Sequence, residues 1–210
     1  MVGAGHHRQN ENSPLEVAGI TVGADTVSEN MTHNIADSMA DALHRVETVL
    51  RRRPDKGRSD DAPATAEWQG RTRVVVRHAN GKEVATDMPK ELGGTGDQAS
   101  PGWLFRAAIA SCAVTSIALL AAREGVELDQ LEARVDSRSD ARGMFGMVEL
   151  DGTPVSAAPC ALRLHVRIAA RGVPVERLRT LVETGCGQSP IPCAVQTATP
   201  MSLHIQVGDD

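Results

Sequence analysis

The sequence predicts an α+β fold, and the periodicity of its apolar residues carries that prediction. Three- and four-residue spacings over 29–53 and the start and stop signals that bound the apolar run 100–125 are typical of helices. Alternation between and after these segments is typical of strands. The predicted order is helix, hairpin, helix, strand, strand, helix, strand. Helices and strands do not alternate strictly, so an α+β arrangement is favoured over a parallel α/β sheet.

The chain is predicted to consist of a main domain preceded by an extension. Residues 1–28 are rich in Gly, Asn and Ser and predict a disordered tail. Residues 29–53 predict an amphipathic helix that Pro54 ends, and a linker follows. Residues 29–66 therefore form a helix and linker, and residues 67–210 form the main domain.

The first half of the main domain combines a hairpin with a long helix. Residues 73–78 and 82–86 flank Ala79-Asn80-Gly81, a sequence typical of a tight hairpin turn. The helix that follows begins with an N-cap serine and a proline at its first position, and it ends at Gly125. It is apolar on nearly every face, so it must be covered by protein or lipid.

Whether protein or lipid covers this helix is decided by one charged residue inside it. Arg106 would be costly in a lone membrane span, which favours the buried helix of a soluble protein. The helix also holds Cys112 at its middle. That thiol is either a small packing residue or a nucleophile kept in a dry site.

The second half of the main domain is predicted to contain three strands, a helix and a short turn. The strands cover residues 131–137, 162–168 and 201–207. The helix covers 173–185, between the second and third of these strands. Residues 189–200 form a short turn or a distorted helical piece.

Composition excludes some functions and constrains the compartment. The net charge of −5 and the absence of tyrosine argue against nucleic-acid binding. The N-terminus lacks the apolar core of a signal peptide, so we expect a cytoplasmic protein whose four cysteines are free thiols. No C-x₂-C pair exists, and no metal site is predicted.

Three stretches of the main domain resemble the OsmC family, which includes the organic hydroperoxide resistance proteins. They are PKELGGTGDQASPGWLFRAAIASC, then ARGMFGM with ALRLHVRI, and VERLRTLVETGCGQSPIPCAVQTATPMSLHI. The resemblance implies an intertwined α+β homodimer, with two central helices enclosed by curved antiparallel sheets. It also implies an active site at the subunit interface, and thiol-dependent reduction of hydroperoxides without a metal or organic cofactor.

The family's reacting cysteine maps onto Cys112. Reactivity requires a thiolate, and Cys112 lies too far along its helix for the dipole at that helix's N-terminus to stabilise one. Family members use an arginine from the first hairpin region instead. Arg71, Arg73 and Arg77 compete for this role here, and Arg73 is favoured.

Two family positions are occupied differently in this chain. The glutamate that orients the arginine is replaced by Gly102, for which Glu91 or Asp97 could substitute.

The second cysteine of the family aligns with Ser189. Cys186 and Cys193 lie about one helical turn to either side, and either is a candidate to form a disulfide with Cys112, Cys193 being slightly preferred. Cys160 is expected to be structural.

These residues together predict a dimeric cytosolic thiol peroxidase. The expected partners are an organic hydroperoxide, favoured by apolar residues such as Leu104, Phe105 and Ile109, and a dithiol reductant. Neither a membrane nor a nucleic acid is expected. The first alternative is a non-peroxidase OsmC-like protein that binds a small apolar molecule or uses Cys112 for acyl transfer or hydrolysis. A second is a structural interaction protein built around the N-terminal helix.

Overall fold

The structure is a computed structural model that describes residues 39–208 and two short strands before them. These strands, β1 (Glu16–Val17) and β2 (Ile20–Thr21), pair antiparallel within the predicted tail. The remainder of the tail and the first part of the predicted N-terminal helix, residues 29–38, lie outside the described residues.

The described helices and strands confirm the α+β class and most of the predicted order. In chain order the remaining elements are α1 (Met39–Arg52), β3 (Ala64–Trp68), β4 (Val74–His78), β5 (Glu83–Thr86), α2 (Pro101–Arg123), β6 (Gln130–Arg138), α3 (Ala141–Met144), β7 (Cys160–Ala169), α4 (Val175–Gly187) and α5 (Pro190–Gln196). Strands β3, β4 and β5 form one antiparallel sheet, and β6 pairs with β7 in another.

The predicted hairpin is present, and a third strand extends it. Gly81 adopts the left-handed conformation (φ +82°) that the turn between β4 and β5 requires. Strand β3 lies partly in the stretch predicted to be a linker. All five of its side chains are exposed, so its apolar pattern could not reveal it. Only its backbone pairing with β4 defines it as a strand.

Helix α2 begins as its sequence predicts. The Ser100 side chain accepts a hydrogen bond from the backbone N–H of Trp103 over 3.2 Å, and Pro101 occupies the first helical position. The helix packs against β6, α4, α5 and α1. By length and hydropathy α2 could cross a membrane, and among the described residues it is the only helix of which this holds.

The core of the chain lies where the C-terminal half of α2 meets α4. Ile117 and Leu120 of α2 pack with Leu178 and Leu181 of α4 in a buried cluster. Gly185 makes the close approach possible, because a Cβ there would lie 2.8 Å from Ile117 Cγ1. This contact places the end of α4, and hence α5, beside the middle of α2.

Much apolar surface remains open in the single chain. The β3–β4–β5 sheet packs extensively against no other described element, although Val74, Val75 and Val76 on β4 are half-buried. Near the C-terminus, the prediction of a final strand over residues 201–207 is wrong, because these residues form no strand in the structure. Its alternating residues meet no core, with Leu203 78% and Ile205 74% exposed, and no described strand pairs with it.

Candidate active site

The candidate site is built around the sulfur of Cys112, which is half-buried on α2. The hydroxyl of Ser189 donates a hydrogen bond to Cys112 Sγ over 3.2 Å. The backbone N–H of Ile191 approaches the same sulfur at 3.5 Å. Ser189 is fully buried, with 0% exposure, so its hydroxyl is directed at the thiol and away from water.

The start of α5 explains why both donors converge on one atom. Ser189 is the residue before the first helical turn, but its side chain caps no backbone N–H of its own helix. Pro190 then fixes the helical backbone, which leaves the N–H of Ile191 among the unpaired donors of the first turn. Cys112 Sγ accepts from that N–H, so the positive end of α5 faces the sulfur.

Cys112 lies too far along α2 to be near the N-terminus of its own helix, and the start of α5 supplies two hydrogen-bond donors in its place. Hydrogen bonds to a charged acceptor are stronger than those to a neutral one, and both donors are within reach of the sulfur. Analysis of the sequence missed both groups. The available signal was Ser189-Pro190, which is typical of a helix start and aligns with the family's second cysteine.

The two candidate partner cysteines are held by other contacts. The thiol of Cys193 donates to the carbonyl oxygen of Gly187 over 3.2 Å. Cys186 packs against the buried α2–α4 cluster, and burial raises the pKa of its thiol. All four cysteines of the chain are free thiols in the structure, and Cys160 is exposed. Among the described residues, the side chain that donates a hydrogen bond to Cys112 Sγ is that of Ser189.

The favoured arginine, Arg73, lies in a separate polar cluster on the β3–β4–β5 sheet. Its guanidinium donates to Asp97 over 2.5 Å, to Thr95 over 2.9 Å and to Asp87 over 3.3 Å. Asp97 thus makes the contact expected of a substitute for the missing glutamate, whereas Glu91 has no such bond to Arg73 among the described residues. Among those residues no arginine donates a hydrogen bond to Cys112.

Asp87 organises this cluster and was missed by the sequence analysis. It is 2% exposed and accepts hydrogen bonds from Thr72 over 2.5 Å and from both the backbone and hydroxyl of Thr95. These hydrogen bonds hold the pKa of Asp87 well below its usual range. The loop after β5 is thereby fixed against β4, and Arg73 is fixed with it.

The competing arginines have different surroundings. Arg77 forms ion pairs with Glu67 and Glu83, its carboxylate neighbours on the same sheet. Arg71 is exposed and has a left-handed backbone conformation (φ 53°). Of the three, Arg73 alone is paired with the loop that leads into α2.

Gly102 leaves open space at the position of the family glutamate. A Cβ at Gly102 would meet Arg106 Nη1 at 3.8 Å, an ordinary contact distance. Arg106 lines two clefts, one of about 560 Å³ between α2 and β6 and one of about 470 Å³ beside the start of α2. The first cleft reaches Ser111, next to Cys112, and its other α2 residues include Ala107, Ala110 and Val114.

The described chain thus carries two separate polar clusters. One presents a thiol to a hydroxyl and an amide donor, and the other holds an arginine between two carboxylates. A thiol faced by donors can act as a nucleophile. Within the described part of the chain, no group of three His, Cys, Asp or Glu side chains is placed to hold a metal ion.

Comparison with known proteins connects this arrangement to a family. The family model described as OsmC-like protein matches residues 94–204. The fold is similar to that of an OsmC-like protein from Mycoplasma pneumoniae, with 14% identity and a TM-score of 0.54 over 65% of this chain and 88% of that chain. No sequence among curated proteins matches the chain.

Two further solved structures are similar to the chain. The first is an organic hydroperoxide resistance protein from Elizabethkingia anophelis with thiocyanate bound, at 24% identity and a TM-score of 0.49 over 65% of this chain and 89% of that chain. The second is a putative organic hydroperoxide resistance protein from Vibrio cholerae with captopril in one active site. It is 25% identical, with a TM-score of 0.43 over 66% of this chain and 87% of that chain.

Proposed function

The chain belongs to the OsmC-like protein family, and from that premise we propose that it reduces organic hydroperoxides with Cys112 as the reacting thiol. The observation that carries the proposal is the pair of donors on the sulfur, Ser189 and the N–H of Ile191. Both lie where they would stabilise negative charge on Cys112, and the family contains proteins named for hydroperoxide resistance.

The reaction is a displacement on oxygen. The Cys112 thiolate attacks the distal oxygen of the hydroperoxide, so that an S–O bond forms and the O–O bond breaks. The alkoxide leaves and takes up a proton to become an alcohol. Cys112 is oxidised to a sulfenic acid, and a thiol reductant must then return it to the reduced state.

A second copy of the chain would complete the site. Arg73 is held in a fixed pose, but the sheet that carries it has no extensive contact with the described helices of its own chain. That open sheet and the exposed segment 201–207 are the surfaces we expect a homodimer to cover. In the dimer we propose that Arg73 of one subunit reaches Cys112 of the other and orients the hydroperoxide.

The substrate is proposed to be apolar. The cleft between α2 and β6 is lined along α2 mainly by small apolar side chains, and Trp103 stands at one end. Such a lining favours an organic hydroperoxide over hydrogen peroxide, because apolar surface of the substrate is removed from water on binding.

A turnover assay with matched variants tests the proposal. Cumene hydroperoxide consumption is followed in the presence of dithiothreitol for wild type, Cys112→Ser and Cys160→Ser. We expect Cys112→Ser to lose the activity and Cys160→Ser, an exposed position away from the site, to keep it. Equal, slow consumption by all three proteins would contradict the proposal.

A mixing experiment tests the shared site. Arg73→Met and Cys112→Ser are each expected to be inactive. After the two are mixed and the subunits exchange, about half of the dimers are mixed, each with one intact site, so about a quarter of wild-type activity should return. No recovery, with subunit exchange verified by mass, would contradict an arginine supplied by the partner subunit.

A second candidate function follows from the Gly102 position. Without the family glutamate, the cysteine pocket could serve a protein that binds a small apolar molecule or uses Cys112 for acyl transfer or hydrolysis. Loss of p-nitrophenyl ester hydrolysis in Cys112→Ser, together with no hydroperoxide consumption by wild type, would favour this function.

A further inference from the structure

After its oxidation in the proposed function, on which this inference rests, Cys112 must be returned to the reduced state by a thiol. We propose that no second cysteine of the chain resolves the sulfenic acid on Cys112, and that a low-molecular-weight thiol from solution attacks it directly. Ser189, in contact with Cys112 Sγ at 3.2 Å, occupies the place from which an internal thiol would attack.

Ser189 fills the position next to the Cys112 sulfur. A disulfide requires two sulfur atoms about 2.05 Å apart on residues whose Cα atoms are roughly 4.4–6.8 Å apart. Among the described residues, the side chain that shares a hydrogen bond with the Cys112 sulfur is that of Ser189, which ends in a hydroxyl and cannot form a disulfide. Ser189 is fully buried, so its hydroxyl is held beside the sulfur.

The other two cysteines on this side of the molecule have different partners. The Cys193 thiol is hydrogen-bonded to Gly187 O at 3.2 Å, at the junction of α4 and α5. Cys186 is packed against the cluster of Ile117, Leu181 and their neighbours. A thiol in such apolar surroundings forms the attacking thiolate poorly. For Cys193 to attack Cys112, its thiol would first have to give up the hydrogen bond to Gly187 O.

The resolving chemistry balances with an external thiol. The thiolate of that molecule attacks Cys112 sulfur, the S–O bond breaks, and hydroxide leaves as water once protonated. A mixed disulfide between Cys112 and the small thiol results. A second thiolate then attacks it, releasing the Cys112 thiolate and an oxidised small disulfide. A monothiol supplies the two sulfurs from two molecules, and a dithiol supplies both from one.

Intact mass spectrometry tests this directly. Reduced protein freed of reductant is treated with one equivalent of cumene hydroperoxide, with and without dimedone. We expect the wild type to gain one oxygen atom, and the dimedone adduct to map to Cys112. Glutathione added afterwards should give a protein–glutathione mixed disulfide at Cys112. Dithiothreitol added instead should return the reduced mass.

Two variants sharpen the result. Ser189→Cys places a thiol against Cys112, so it should lose two hydrogens on oxidation, with a peptide that links Cys112 to the introduced thiol and no dimedone adduct. The double variant Cys186→Ser/Cys193→Ser should behave as wild type. The double variant keeps the test decisive should Ser189→Cys fail to fold, because it asks whether either native cysteine is required.

The outcomes separate this inference from the proposed function. A peptide linking Cys112 to Cys186 or Cys193 in the oxidised wild type would overturn external resolution and leave the peroxidase proposal standing. No oxygen gain and no disulfide in the wild type would overturn the proposed function and the inference with it. Oxygen gain at Cys112 that persists until a small thiol is added supports both.

Discussion

The hydroxyl of Ser189 lies 3.2 Å from the sulfur of Cys112, although the two residues are 77 positions apart in the sequence. Packing of α4 on α2 produces this contact, since Gly185 allows the helices to approach and α5 begins directly after α4. A buried donor directed at a thiol makes the reactivity of that thiol depend on the serine.

Removing that donor should slow the reaction of Cys112. For Ser189→Ala we expect roughly tenfold slower oxidation of Cys112 by cumene hydroperoxide, because a hydrogen bond to a charged group contributes about 1.5–3 kcal/mol. Stopped-flow measurement of the single-turnover rate checks this. Thr180→Ala is the control, because its exposed hydroxyl donates to Glu176 O of its own helix. Equal rates for both variants would show that the serine does not act on the sulfur.

Two glycines on neighbouring helices should respond to alanine with opposite signs. A Cβ at Gly185 would lie 2.8 Å from Ile117 Cγ1 and 2.9 Å from its Cα, so Gly185→Ala should destabilise the protein by about 1–3 kcal/mol. At Gly102 the nearest atom is 3.8 Å away, so Gly102→Ala should stabilise α2 by up to about 1 kcal/mol. Urea denaturation at a fixed protein concentration measures both. Similar losses at the two positions would contradict the close packing of α4 on α2.

The contribution of Asp87 to stability should depend on pH in one direction. Its folded pKa is lowered by hydrogen bonds from Thr72 and Thr95. The stability it contributes is therefore fully present above the unfolded pKa near 3.9, and it is lost as the pH falls through the lower folded pKa. We expect Asp87→Asn to be less stable than wild type at pH 7, and the difference in free energy of unfolding to shrink below about pH 4. A difference that stays constant from pH 7 to pH 3 would contradict this role of the charge.

The exposed C-terminal segment should control association. The residues at alternate positions 201, 203, 205 and 207 are apolar and 74–92% exposed, so they offer an open apolar surface to a second copy. Leu203→Asp/Ile205→Asp should shift a dimeric protein to monomer in sedimentation velocity. Ser202→Asp/His204→Asp adds the same charge on the other face and should leave the dimer intact. A wild type that is monomeric at all concentrations would contradict the proposed homodimer.

The sequence predicted elements whose signals are local. The start of α2 at Ser100–Pro101 and the turn at Gly81 are each determined by adjacent residues, and the structure confirms both. Strand β3 was missed because its side chains are all exposed, and residues 201–207 were assigned a strand for which the described chain offers no neighbour. Pairing with β4 defines β3, and pairing between distant segments cannot be read from a local pattern.

The same distinction between local signals and contacts between distant segments applies to the candidate site. The resemblance to the family predicts Cys112 and Arg73 as site residues and Asp97 as a possible partner for the arginine, and the structure contains the contact between Arg73 and Asp97. The buried hydroxyl of Ser189, the N–H of Ile191 and the role of Asp87 could not be predicted. Each depends on contacts between segments that are distant in the chain or on the direction of a backbone group. The proposal that no cysteine of the chain resolves Cys112 depends on those same contacts.

The most direct test compares two thiols within the same protein. The wild type is treated with cumene hydroperoxide, and the oxidation rates of Cys112 and of the exposed Cys160 are followed separately by quenching and peptide mass spectrometry. We predict that Cys112 is oxidised at least about a hundredfold faster than Cys160, because two hydrogen-bond donors face the sulfur of Cys112 and, in the proposed dimer, an arginine of the second subunit also reaches it. Equal rates at the two cysteines would contradict the assignment of Cys112 as the reacting thiol.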